Sequence, residues 1–137
     1  MRVKNSMTAQ VVSAKSSDTV EDVARRMSEI DSGAIPVIDA DGVVGIITDR
    51  DIVIRVVAEG KASSTPVAEV MTAGVESCLE EDDLAEAARR MAELQMRRLV
   101  VFDNEGNLAG IISLGDIALQ EQGDLASEAL EEISLDD

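Results

Sequence analysis

The heptapeptide Gly45-Ile46-Ile47-Thr48-Asp49-Arg50-Asp51 returns as Gly110-Ile111-Ile112-Ser113-Leu114-Gly115-Asp116, and this duplication constrains the fold more than any other feature of the chain. Both copies read G-x-x-[ST]-x-x-D. In each, a β-branched apolar run ends in a hydroxyl, and three residues later an aspartate opens an amphipathic segment. That pattern predicts a strand running directly into a helix. The hydroxyl then lies beside the unpaired N–H groups of the helix's first turn, which favour an anion. The aspartate adds two acceptor oxygens suited to a vicinal diol. A ribonucleotide offers that combination, although taken singly Thr48 and Ser113 read equally as helix caps, and Asp51 and Asp116 as first-turn acids.

The repeat extends over most of the chain. Met7-Thr8 returns as Met71-Thr72 and Arg25-Arg26-Met27 as Arg89-Arg90-Met91, a shift of 64 (7 to 71, 25 to 89). Beyond the turns at Asp39-Ala40-Asp41-Gly42 and Asp103-Asn104-Glu105-Gly106 the shift becomes 65 (45 to 110), so the second hairpin holds one extra residue. Each copy predicts the order β-α-β-β-α. In the first, Val11-Val12-Ser13 is a strand and Asp18 with Glu21 a capping-box start. Val20, Val23, Ala24, Met27 and Ile30 form one helix face, and Gly33 is the stop. Strands over Ala34–Ile38 and Val43–Thr48 make a hairpin, followed by a helix over Asp49–Glu59 that Gly60 ends. The second copy has a strand at Val75–Cys78 and a helix presenting Leu84, Ala87, Ala88, Met91 and Leu94. Strands at Leu99–Phe102 and Leu108–Ser113 follow, then a helix from Leu114 to Gln122. The expected division is 1–60 and 67–123 for the repeats and 61–66 for a linker. Residues 124–137 form an acidic tail in which Leu125, Ala129, Leu130 and Ile133 make a thin apolar stripe.

Composition narrows the function. Among 137 residues, 28 acidic against 12 basic give a net charge of −16, which repels nucleic acid and anionic membrane. Phe102 is the only aromatic, so stacking platforms for single-stranded nucleic acid are absent. With no histidine and one cysteine, Cys78, the chain cannot assemble Ser-His-Asp triads, Cys-His dyads, ordinary zinc sites or an internal disulfide. Cys78 is expected as a buried hydrophobe. No apolar run has the length of a signal or a membrane span, which points to a cytoplasmic protein.

In this order, and duplicated, these features resemble the cystathionine β-synthase (CBS) domain pair, or Bateman module. The resemblance rests on Met-Thr before the first strand in both halves, on Ala34-Ile35-Pro36-Val37-Ile38-Asp39 and Arg97-Arg98-Leu99-Val100-Val101-Phe102-Asp103, and on the two heptapeptides. It implies an α+β fold of two tandem β-α-β-β-α CBS repeats packed as a pseudo-two-fold pair, with both motif copies facing the cleft between them. It further implies a regulatory sensor rather than an enzyme. The ligands are adenosyl compounds such as AMP, ADP, ATP or S-adenosylmethionine, with or without magnesium, and no cofactor is obligatory.

By resemblance, Asp51 and Asp116 hold ribose hydroxyls, while Thr48 and Ser113 bond phosphate or ribose oxygens. Backbone near Val12 and along Gly33, Ala34, Ile35 and Pro36 edges one adenine, and Leu99 lines the equivalent second pocket. Arg97 and Arg98 occupy the family's basic position, which reaches phosphate, although by themselves they read also as helix-end arginines facing water; Arg50 joins the set from within its motif. The halves depart from one another where Gly33-Ala34 meets Arg97-Arg98 and where Pro36 meets Val100, so the pockets are not equivalent. Partners are expected to be a second copy of the chain, as a homodimer, and a regulated protein. The alternative reading is a ligand-free dimerisation or interaction module with a vestigial cleft. An acid–base hydrolase using Asp51 and Asp116 lacks a nucleophile or metal cluster around them.

Overall fold

A computed structural model describes residues 1–10 and 12–120. The chain divides into two compact units. Among the described residues, one comprises residues 10–77, the other residues 1–9 together with 78–120. We name them the first-hairpin and second-hairpin units. Val11 and the tail stripe of Leu125, Ala129, Leu130 and Ile133 lie outside the described residues, as does the end of the last helix at Gln122.

In the first-hairpin unit, α1 (Val20–Ile30) buries Val20, Val23 and Met27. Antiparallel strands β2 (Ala34–Asp39) and β3 (Gly42–Thr48) form the predicted hairpin, with Gly42 at φ 107° turning it. Helix α2 (Asp49–Ile52) follows β3 without a break. The second-hairpin unit repeats this with β5 (Ser77–Leu79), α3 (Leu84–Leu94), β6 (Arg98–Phe102), β7 (Leu108–Ser113) and a helix, α4, over 114–120. Its longer turn is organised by Asp103, whose Oδ1 accepts the N–H groups of Glu105 and Asn107, each at 2.9 Å. Among the described residues no helix is long and apolar enough to cross a membrane.

The compact units cut the chain elsewhere than the sequence repeats do, because the segments carrying Met-Thr are exchanged. Strand β1 (Thr8–Ala9) pairs with β7, and β4 (Thr72–Ala73) with β3. The sheets accordingly run β1-β7-β6-β5 and β2-β3-β4. Short 3-10 turns at Val3–Asn5 and Val67–Glu69 precede these strands. They bury Val3 with Leu84, Met91 and Leu99, and Val67 and Val70 with Val20, Val23 and Ile35. The same backbone bonds tie both: Val3 N–H to Asp82 O at 2.9 Å, and Val67 N–H to Asp18 O at 2.8 Å. Residues 61–66 are thus more than a polar connector. Thr65 is buried, and its carbonyl accepts the N–H of Val20 at the start of α1.

This exchange explains the motif's glycine. A Cβ on Gly45 would stand 2.5 Å from the carbonyl oxygen of Thr72, and one on Gly110 would meet that of Thr8 as closely. Both oxygens belong to the incoming strand's backbone, so only a bare Cα admits it.

Several local expectations shift. Thr19, not Asp18, caps α1, accepting the N–H of Asp22 at 3.2 Å. Asp18 instead accepts the N–H of Lys15 and an Arg26 guanidinium N–H, and these hold its carboxyl below the ordinary aspartate range. The left-handed residues closing α1 and α3 are Asp31 (φ 53°) and Gln95 (φ 56°) rather than Gly33. There Ser32 N–H and Met96 N–H reach back to the last-turn carbonyls of Met27 and Met91. Val12 and Ser13 form no strand; Ala14 alone bridges Val37, in parallel. Strand β5 begins two residues later than Val75. Ala24 and Leu94, expected on the apolar faces, are exposed.

Beyond α2 the backbone widens into a π-helix, Val53–Val57, in which Ala58 N–H bonds Val53 O and Lys61 N–H bonds Val56 O, each at 2.9 Å. The expected eleven-residue α-helix is therefore one α turn followed by a π turn. Cys78 is buried on β5, where loss of hydration pushes its thiol up to about 11.

Gly45→Ala and Gly110→Ala are each expected to destabilise the protein by about 1–3 kcal/mol, as overpacking against backbone does. Gly106→Ala, at a glycine with φ 84° and open space around it, tests backbone conformation without a clash. Urea titration followed by circular dichroism compares the three.

Candidate functional site

Each unit brings its hydroxyl and its aspartate together in one reciprocal arrangement. In the first-hairpin unit, Thr48 N–H donates to Asp51 Oδ2 at 3.0 Å, and Asp51 N–H donates to Thr48 Oγ1 at 3.1 Å. In the second-hairpin unit, Ser113 N–H donates to Asp116 Oδ2 at 3.0 Å, and Asp116 N–H to Ser113 Oγ at 3.1 Å. This is a capping box with aspartate in the third position. It uses one carboxylate oxygen and fixes the direction of the other, since an ionised carboxylate accepts at both. The helix-cap role and the ligand role are compatible at the same residues.

The start of the preceding hairpin strand lies against this corner. Ala34 pairs with Thr48, and Arg98 with Ser113. One residue earlier, Gly33 O accepts Asp49 N–H at 2.9 Å, and Arg97 O accepts Leu114 N–H at 3.0 Å. The corner of the first-hairpin unit therefore gathers Gly33, Ala34, Thr48, Arg50 and Asp51; that of the second-hairpin unit gathers Arg97, Arg98, Ser113 and Asp116. Ile35 and Leu99 are fully buried in their cores, and Pro36 is buried with its carbonyl accepting Ala14 N–H. The side chains of Ile35 and Leu99 thus serve packing. Val12 is half-buried, and its carbonyl accepts from Gln10 Nε2 at 3.1 Å.

Asp49, Arg55 and Gln10 also shape the first-hairpin corner, although the motif specifies none of them. Asp49 stands over Gly33, its Oδ2 only 2.7 Å from where a Cβ there would be. Arg55 lies 3.8 Å from Asp51 Oδ1 and donates to the carbonyls of Val70 and Met71, tying the corner to β4's approach. Its spacing of four from Asp51 on a helix was the available signal. Gln10 is buried and also reaches Ala34 O, a contact that sequence alone does not reveal.

A groove of about 370 Å³ lies elsewhere, beside α3, lined by Asp82, Asp83, Glu86, Arg89, Arg90 and Glu93 above Cys78. Its four carboxylates against two guanidiniums suit a nucleotide poorly. Among the described residues no group of three or more Cys, Asp and Glu side chains is placed to hold a metal ion.

Two units of helix and sheet, each completed by a strand from the other sequence repeat and each closing one Ser/Thr–Asp corner, define a tandem-repeat α+β module. The CBS domain family model matches residues 3–58 and again 67–121. The chain belongs to the CBS domain family. It is 40% identical to the CBS domain-containing protein YhcV of Bacillus subtilis over 96% of this chain and 94% of that one. Among solved structures it is similar to Hypoxic Response Protein I with two coordinated zinc ions, at 32% identity and a TM-score of 0.66, covering 86% of this chain and 97% of that one. It is also similar to CBSX2 in complex with AMP, at 28% identity and a TM-score of 0.60, covering 88% and 98%.

The corner's structural share can be separated. Thr48→Ala and Ser113→Ala are each expected to cost about 1 kcal/mol through the lost cap, while Thr48→Ser and Ser113→Thr cost a few tenths. Thermal melts of the four variants check this.

Proposed function

We propose that the chain is a cytoplasmic regulatory module, not a catalyst, that binds adenosyl ligands at its Ser/Thr–Asp corners. The observation that carries this reading is the duplicated corner itself, reproduced with the same two hydrogen-bond lengths in both units of a CBS domain protein. CBS domain pairs are generally regulatory, and CBSX2 has been solved with AMP. In this reading Asp51 and Asp116 take the ribose diol. Arg97 and Arg98, exposed and in no ion pair among the described residues, supply the cation that a phosphate needs on a chain of charge −16. The ligand acts by its differential affinity for two settings of the protein, and so alters what a regulated partner meets.

AMP at a hundredfold excess over its dissociation constant is expected to stabilise the protein by about 2.7 kcal/mol, read as a rise in Tm on ligand-free protein. Asp51→Ala and Asp116→Ala weaken adenosine and AMP alike, because both carry the diol. Arg98→Ala weakens AMP roughly ten- to a hundredfold and leaves adenosine nearly unchanged, as loss of a charge-assisted hydrogen bond does. Calorimetry that finds adenosine equally weakened by Arg98→Ala makes the arginine a shaper of the pocket instead.

A second reading, a dimerisation or interaction module independent of ligand, is favoured by exposed aliphatic side chains: Val53, Ile54 and Val57 after α2, and Leu119 on α4. A homodimer fits both readings. Light scattering at micromolar concentration is expected to return twice the 14.5 kDa chain mass; the single-chain mass removes the dimer from both.

A further inference from the structure

We infer that the two corners select ligands of different charge at the ribose 5′ substituent: the second-hairpin corner an anionic phosphate, the first-hairpin corner a neutral or cationic group. This rests on the adenosyl-binding reading above and assigns Asp49 and Arg97 as the residues that set specificity. The two corners share one backbone. The same Ser/Thr–Asp box closes both, and the same N–H to carbonyl bond joins residue 49 to 33 and residue 114 to 97. Differences in what they bind must therefore come from side chains.

Those side chains are interchanged in a charge-reversing way. Where the second-hairpin unit carries Arg97, the first has Gly33, and the space a side chain would enter there is taken by the carboxylate of Asp49, 2.7 Å from the missing Cβ. Where the first-hairpin unit carries Asp49, the second has the uncharged Leu114. One corner thus presents a guanidinium beside its ribose box, and the other a carboxylate. Ala34 against Arg98 repeats the difference one residue on.

The arginines of the first-hairpin corner do not reverse this. Arg55 is committed to the Val70 and Met71 carbonyls and lies 3.8 Å from Asp51, and Arg50 is flanked in sequence by Asp49 and Asp51. Two carboxylates against two guanidiniums leave that corner neutral, whereas Arg97 and Arg98 against Asp116 leave the other with one positive charge. A phosphate dianion at the first corner would meet Asp49 at short range, where like charges repel most. A sulfonium or an uncharged thioether would not.

Two exchanges test this with little risk to folding, because each places a residue that the sister corner already carries on the same backbone: Asp49→Leu and Arg97→Gly. Amide NMR titrations follow Asp51 and Asp116 as separate reporters, with adenosine, AMP and S-adenosylmethionine as probes on ligand-free protein. In the parent protein AMP is expected to bind at least tenfold more tightly than adenosine at the Asp116 reporter, and no more tightly than adenosine at the Asp51 reporter. Arg97→Gly cuts the AMP advantage at Asp116 several-fold, and Arg98 supplies what remains. Asp49→Leu raises AMP affinity about tenfold at Asp51, lowers S-adenosylmethionine affinity there by a similar factor, and leaves adenosine unchanged. An AMP-to-adenosine ratio that Asp49→Leu does not move overturns the charge assignment while the adenosyl reading stands. Binding of none of the three probes overturns both.

Discussion

Completion of both sheets depends on a backbone-to-backbone approach that only glycine permits. Strands β4 and β1 lie across Gly45 and Gly110 so closely that a methyl group at either position would overlap the carbonyl oxygen of Thr72 or Thr8. The incoming segments bring Val67, Val70 and Val3 into cores that α1 and α3 alone would leave open. A core of aliphatic side chains with a single aromatic in the chain has few large residues with which to fill such gaps, so each buried valine counts. The motif's first residue is therefore a packing residue, and its last two specified positions belong to the corner.

At that corner, stability and recognition draw on the same atoms. The hydroxyl and the carboxylate of each copy satisfy two backbone donors that a helix start leaves without partners. Because the box holds the aspartate in one rotamer, a diol would find its acceptor already oriented, with less ordering cost on binding. The wider turn after α2 has a related effect. It holds Arg55, which donates to the carbonyls of Val70 and Met71, so the helix that starts at the corner is also anchored to the segment leading into β4.

Much of this was legible in the sequence, and what was not has identifiable causes. The hairpins, both long helices and the strand-to-helix corners followed from alternation, helical periodicity and duplicated motifs. The exchange of β1 and β4 did not, because a two-residue strand carries no periodic signal and its pairing partner lies about a hundred residues away for β1. Gly33 looked like a helix stop because glycine prefers that role; Asp31 took the left-handed position, and Gly33 was needed where Asp49 comes close. The π turn was hidden because Val53 to Val57 read as ordinary apolar helix. At the site, Thr48, Asp51, Ser113 and Asp116 came from the motif, whereas Asp49 and Gln10 emerged only from their surroundings in three dimensions.

The exchanged strands also bear on how such a chain arises. A polypeptide of one repeat would begin with an edge strand that fits a sheet other than its own and would end with a corner strand missing its neighbour. Two copies would satisfy each other only by meeting in solution, at a rate and extent set by their concentration. Joining them through residues 61–66 replaces that encounter with an intramolecular one, at an effective concentration on the order of millimolar for a short tether. Once the halves are fused, symmetry is no longer enforced. Each corner is then free to change its side chains without the other, and Gly33 with Asp49 against Arg97 with Leu114 is the form that freedom takes here.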